Sequence, residues 1–232
     1  MGLRGPKPRR KEVIWSGNLA YALGLMASDG CLSPDGRHLI FVSKDIEQIH
    51  NLQTCLGLEV KIARFLSGRP GSTEHYYRLQ WGDVTLYDFL LSIGFTPRKS
   101  LTLGALAIPD EHFFDFLRGH FDGDGCFYSY FDPRWKSSFM FYFTIASGSK
   151  DFVLWLQELL TRLSGVAGHI TSNPSKTFFQ LKYAKKESLV LLERMYENPT
   201  ALHLKRKKLK IARALRIVGL SLPTSRQILP GC

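Results

Sequence analysis

FLRGHFDGDGCFY, residues 116 to 128, has a weaker copy in YALGLMASDGCLS, residues 21 to 33. Each stretch reads as an amphipathic helix with small residues at one-turn spacing before an acidic residue and a glycine. These are Gly24, Ser28, Asp29 and Gly30 in one copy and Gly119, Gly123, Asp124 and Gly125 in the other, and both copies close on Asp-Gly-Cys. Residues four apart lie one above the other on a helix. Gly24 with Ser28, and Gly119 with Gly123, therefore leave strips nearly free of side chain, along which two backbones can meet. Gly30 and Gly125 suit a left-handed position past each helix end.

If the strips pack together, Asp29 and Asp124 emerge side by side at two helix C-termini. Each terminus already carries about half a negative charge, so a divalent cation would relieve the crowding. Magnesium takes one or two protein carboxylates and keeps its other positions for water and phosphate oxygens. Two such ions bridging a phosphodiester would activate water and stabilise the leaving oxygen. DGDG does not open a calcium-binding EF-hand. A loop starting at Asp122 puts Phe127 where the invariant glycine belongs and Pro133 where the bidentate glutamate belongs.

The paired stretches resemble the two LAGLIDADG motifs of single-chain homing endonucleases, with ALGLMASDG (22 to 30) and LRGHFDGDG (117 to 125) in the family's register. Ala27 departs from the pattern, which often has Asp there, while the acid before the last glycine is kept as Asp29. The resemblance runs from residue 16 to 217. It implies an α/β fold of two pseudo-symmetric αββαββα repeats, each with an antiparallel sheet forming half of a DNA-binding saddle. It implies magnesium-dependent hydrolysis of both strands of a long, nearly asymmetric double-stranded DNA target across the minor groove, leaving short 3′ overhangs. Mn2+ would substitute for Mg2+, Ca2+ would support binding without cleavage, and the chain would act as a monomer. Asp29 and Asp124 would hold the metal, with Ser28 and Gly123 beside them in the metal site. Lys44 and Lys150, in matching Ser-Lys-Asp triplets, would position water or offset phosphate charge, although an extra Gly148 precedes the second triplet.

The rest of the chain agrees with a nucleic-acid partner. A formal charge of +11 and a pI near 9.6 point to a polyanion, nucleic acid before membrane. No run of about 18 apolar residues is present. The basic start followed by an apolar run is not expected to act as a secretory signal, because Ser16, Gly17 and Asn18 interrupt it. Four cysteines without a C-x-x-C pair exclude the usual zinc ribbons, and Cys31 and Cys126 are expected at small buried positions in a reducing, intracellular setting. The expected organisation is a basic arm over 1–15, a first repeat over 16–94, a linker over 95–110, a second repeat with a basic helix over 111–218, and a tail over 219–232.

Within each repeat the pattern reads helix, two strands, helix, two strands, helix. YYRLQW (76 to 81) and FFQLKY (178 to 183) match aromatic for aromatic and leucine for leucine, which supports duplication independently of the motifs. About seven extra residues fall to the second half, in the turn DPRWKSS. Strand alternation puts Tyr76, Arg78, Gln80, Gln180 and Lys182 on the face opposite Leu79 and Leu181, where Arg, Gln and Lys can read base edges in a major groove. Further basic contacts to DNA are expected from Arg37, Lys61, Arg134, Lys136, the linker pair Arg98 and Lys99, and Lys205 and Lys207 of LKRKKLKIARALRI (204 to 217). Two other readings use the same fold: an RNA splicing maturase and a noncatalytic DNA-binding protein. Regulators of the second kind usually lose the acids, and both acids remain here.

Overall fold

The computed structural model describes residues 12–68, 71–135, 137–175 and 177–223, so nearly all of the basic arm, Lys136 and most of the tail lie outside the described residues. The first half comprises α1 (Gly17–Asp29), β1 (Gly30–Leu32), β2 (His38–Ser43), α2 (Ile46–Leu56), β3 (Ala63–Leu66), β4 (His75–Gly82) and α3 (Val84–Ser92). The second repeats that order as α4 (Phe113–Asp124), β5 (Gly125–Phe131), β6 (Phe139–Ser147), α5 (Lys150–Ser164), β7 (His169–Ser172), β8 (Phe179–Tyr183) and α6 (Lys185–Met195), and adds α7 (Lys205–Ile217). Two antiparallel sheets result, ordered β1-β2-β4-β3 and β5-β6-β8-β7. Among the described residues, no helix is long and apolar enough to cross a membrane.

Local chemistry sets the boundaries. Ser16, Asp45, Asp83 and Ser149 cap α1, α2, α3 and α5, each accepting from a backbone N–H of the first turn. Gly57 and Gly165 end α2 and α5 in left-handed geometry. Alternation then turns one face of each sheet to the core. Leu39, Phe41, Leu79 and Trp81 are buried in the first sheet, and Phe141, Phe143, Ile145, Leu181 and Tyr183 in the second. The registers correspond, with Phe41 opposite Leu79 and Ile145 opposite Leu181. The extra length of the second half lies in its first hairpin: β1 and β2 have 3 and 6 residues, whereas β5 and β6 have 7 and 9, joined by the turn from Asp132 to Ser138.

α1 and α4 pack backbone to backbone at the centre. A Cβ at Gly24 would collide with the Phe116 carbonyl and the His120 amide, and one at Gly119 with the Tyr21 carbonyl. Gly123 faces the Ser28 side chain with the same lack of room. Gly30 and Gly125 differ from the sequence expectation. Both are extended, with φ −86° and −78°, not left-handed. What requires glycine is the preceding turn, since a Cβ would strike Met26 in one copy and Phe121 in the other. Cys31 and Cys126 also depart from expectation. Both are exposed free thiols, because alternation gives the inward positions to Gly30 and Leu32 and to Gly125 and Phe127.

Gly119→Ala is expected to lower the urea-unfolding free energy by about 2 kcal/mol or more, although alanine is the better helix former by about 1 kcal/mol. Gly104→Ala, where a Cβ meets nothing within 4 Å, should change it by less than about 0.5 kcal/mol. A neutral Gly119→Ala would contradict the close contact.

Candidate catalytic and nucleic-acid interface

The glycine contact fixes where the two helices end, and Asp29 and Asp124 are their last residues. The carboxyls are close enough to perturb each other. Burial, then repulsion from Asp124, raises Asp29 to about 6, and burial also raises Asp124. Two lysines oppose this. Lys99 is 4% exposed and its Nζ donates to the carbonyls of Ala27 at 2.7 Å and Ser28 at 3.1 Å. Lys207 Nζ donates to the carbonyls of Phe121, Gly123 at 3.1 Å and Gly125 at 2.6 Å. Each helix C-terminus is thus closed by an ammonium group, as the dipole favours, and each ammonium also attracts the aspartates. Burial lowers both lysines, Lys207 to about 8.

This geometry corrects the expectation for Lys99 and Lys207, which point inward at the aspartate pair instead of outward at phosphates. Arg98 takes up a left-handed backbone, φ 62°, rare outside glycine, and turns the chain so that Lys99 enters the interior while Arg98 stays exposed. The Ser28 and Gly123 carbonyls, expected beside a metal, already accept from these lysines.

Lys44 and Lys150 are not equivalent. In the first half Ser43 Oγ accepts from Asp45 N, and Asp45 caps α2; in the second Ser147 Oγ accepts from Ser149 N, and Ser149 caps α5. Lys44 therefore corresponds to Gly148, and Lys150 is the exposed first residue of α5. Lys44 is also exposed, paired with Glu74 at 2.6 Å and lying over the Tyr76 ring. Neither lysine is brought to the aspartates.

Asp122, which stands where the first motif has Ala27, is fully buried. Its carboxylate accepts from Tyr21 Oη and from the Leu204 amide, both at 2.7 Å, and its carbonyl accepts from Gln48. It thereby ties α1, α2 and the start of α7 to α4. Ala27, the counterpart, has no such task.

The outer sheet faces carry the residues expected there. Arg78 and Gln80 are exposed, and Tyr76, Gln180 and Lys182 are half-buried. Register makes Cys31, Ile40 and Gln80 one transverse row and Cys126, Thr144 and Lys182 the matching row, so the two faces present different chemistry. Arg78 lies over Phe65, which stacks on Tyr76. Lys182 Nζ sits 4.0 Å from the Tyr142 ring centre, and Tyr142 stacks with Tyr128 and Tyr130. The tyrosine cluster was missed, although the alternation in CFYSYFD signals it. Arg37, Lys61 and Arg134 are exposed, Arg134 paired with Asp132. Lys205 is exposed with its Nζ 3.8 Å from Glu47 of the first half.

No family model matches the sequence, and no curated protein is significantly similar to it. Solved structures do match. Full-length DUF199/WhiA from Thermatoga maritima superposes with TM-score 0.55 at 16% identity over 90% of this chain, which spans 62% of that protein's length. The LAGLIDADG meganuclease I-AabMI bound to uncleaved DNA gives TM-score 0.56 at 12% identity, covering 87% of this chain and 98% of the other. The I-LtrWI LAGLIDADG homing endonuclease bound to target DNA gives 0.53 at 13%, covering 84% and 87%. The chain has the LAGLIDADG fold.

In the metal-free protein, Asp124→Asn is expected to lower the Asp29 pKa from about 6, because removing a like charge favours the carboxylate. A carboxyl-carbon NMR titration reads this directly. An unchanged Asp29 would mean that the two groups do not share a field.

Proposed function

We propose that the protein is a site-specific double-stranded DNA endonuclease that hydrolyses both strands at Asp29 and Asp124 and leaves short 3′ overhangs. The observation that carries this reading is the pairing of two carboxylates, Asp29 half-buried and Asp124 open to solvent, at paired helix ends, where the helix dipoles oppose them. A purely structural cap would not put acid there. The likeness to DNA-bound endonucleases supports the same reading.

The donor set fits a divalent cation, preferably Mg2+. Two carboxylates converge, one of them open to solvent, and oxygen ligands with open positions are what that ion takes. Asp29 and Asp124 would hold it. When bound, it supplies charge neutralisation and a more acidic water. Lys99 and Lys207 keep the helix ends in place and add positive charge beside the phosphate under attack. The outer faces hold the duplex, with Arg78, Gln80, Gln180 and Lys182 toward base edges and Tyr128, Tyr130 and Tyr142 adding apolar contact. Because matching rows differ between the sheets, the preferred target is long and not palindromic.

A noncatalytic DNA-binding role is the second reading. One observation favours it: Lys99 and Lys207 already offset Asp29 and Asp124, so the cluster is electrically balanced without a cation.

A randomised duplex library incubated with the protein and Mg2+ separates the two. Sequence-specific double-strand breaks support the endonuclease, and enrichment by binding with no cutting supports the second reading. On a selected site, Asp29→Asn and Asp124→Asn should each retain affinity within about threefold while cutting falls by about a hundredfold or more; full cutting by either variant would remove the site assignment. Affinity should also fall by about a thousandfold between 50 and 200 mM salt as counterions are released, and a flat response would count against the basic surfaces.

A further inference from the structure

A cavity of about 160 Å3 adjoins Asp124. Lys99, His120, Asp124, Ser147 and Gly148 line it, with the end of α1 at Ala27 and Ser28. His120 is 1% exposed, and neither ring nitrogen has a hydrogen-bond partner. The Gly24 backbone approaches the ring without completing hydrogen-bond geometry. Burial, reinforced by Lys99, pushes its pKa down to about 3, so the ring is neutral, with one nitrogen able to donate and the other to accept. A buried polar group left unmet on both sides is costly and uncommon.

The two halves solve this position differently. His120 corresponds to Leu25 in the first motif, and the third residue of the following helix is Gln48 in the first half and Phe152 in the second. Gln48 is met from both ends, accepting from Ser43 Oγ at 2.5 Å and donating to the Asp122 carbonyl. His120 instead rests against Phe116 and Phe152, with ring centres 6.2 and 5.0 Å away. The polar group sits on α2 in the first half and on α4 in the second. Gly148, standing where the first half has Lys44, leaves room for Ser100 and Leu101 of the linker to come close, and Ser100 and Leu103 line that side of the cavity. The space is polar and roomy enough for several waters, which need about 30 Å3 each in the liquid.

We infer that His120 holds water in this cavity beside Asp124, as a positioning residue with no counterpart beside Asp29, so that the two DNA strands are cut at unequal rates. The strand asymmetry rests on the endonuclease reading above; the bound water does not.

Two measurements on the full chain test this. A crystal structure of the metal-free protein is expected to show an ordered water within hydrogen-bond distance of a His120 ring nitrogen, and a cavity dry at His120 overturns the inference whatever the activity. On a strand-labelled duplex with Mg2+, the wild-type protein should cut one strand faster and accumulate nicked product, and His120→Leu should slow that strand by about tenfold or more while leaving the other within about twofold. Affinity should be unchanged and the unfolding midpoint no lower, and His120→Gln should restore the wild-type difference between the strands. Equal slowing of both strands, or no change in either, overturns the inference and leaves the endonuclease standing. Wild-type protein that cuts neither strand overturns the endonuclease and the strand asymmetry together.

Discussion

Two helix backbones meet at the middle of this molecule with no Cβ between them, at Gly24 and Gly119, and that approach imposes an electrostatic cost. Helices in contact along their C-terminal turns bring two negative dipole ends together, and the last residue of each is an aspartate. The cost is met from outside the helix pair. Lys99 reaches in from the linker and Lys207 from α7, each closing one set of carbonyls. Both lysines give up solvation to do so, which is why burial lowers them. A steric condition on two glycines thus dictates the placement of four charged groups.

The same pair of helices also carries the main departure from twofold symmetry. Asp122 and Ala27 occupy matching positions, and only Asp122 is used as a buried junction for Tyr21, Gln48 and Leu204. Asn51 extends the junction by donating to Tyr21 Oη and to the His203 carbonyl, both at 3.1 Å. α7 begins at this junction, so the second half's basic helix is anchored to residues of the first. Duplication supplied the frame, and unequal polar substitutions at matched positions gave each side its own wiring.

Much of the fold was legible because its signals are local. Alternation in YYRLQW and FFQLKY, and small residues at one-turn spacing before Asp29 and Asp124, depend on neighbours within a turn or a strand. The aspartate pair was legible for a related reason, since a repeated motif declares its own partner. The lysines were not. A lysine beside other basic residues reads as solvated, and nothing within four residues of Lys99 or Lys207 reveals that a helix end 70 to 90 positions away needs an ammonium group. Lys150 misled for the opposite reason. A matching triplet at 149–151 hid a two-residue shift that only the Ser147 and Ser149 hydrogen bonds expose.

The origin of Lys99 has a consequence for building hybrids. The ammonium that completes the first motif's helix belongs to the connector, and the one that completes the second belongs to a helix whose Arg206 is bonded to Asp45 at 2.7 Å. Neither half is therefore a self-contained cassette. A chimera that exchanged residues up to the end of α3 with another protein would leave behind the cation its imported acid depends on, so the connector must be transplanted along with the first repeat.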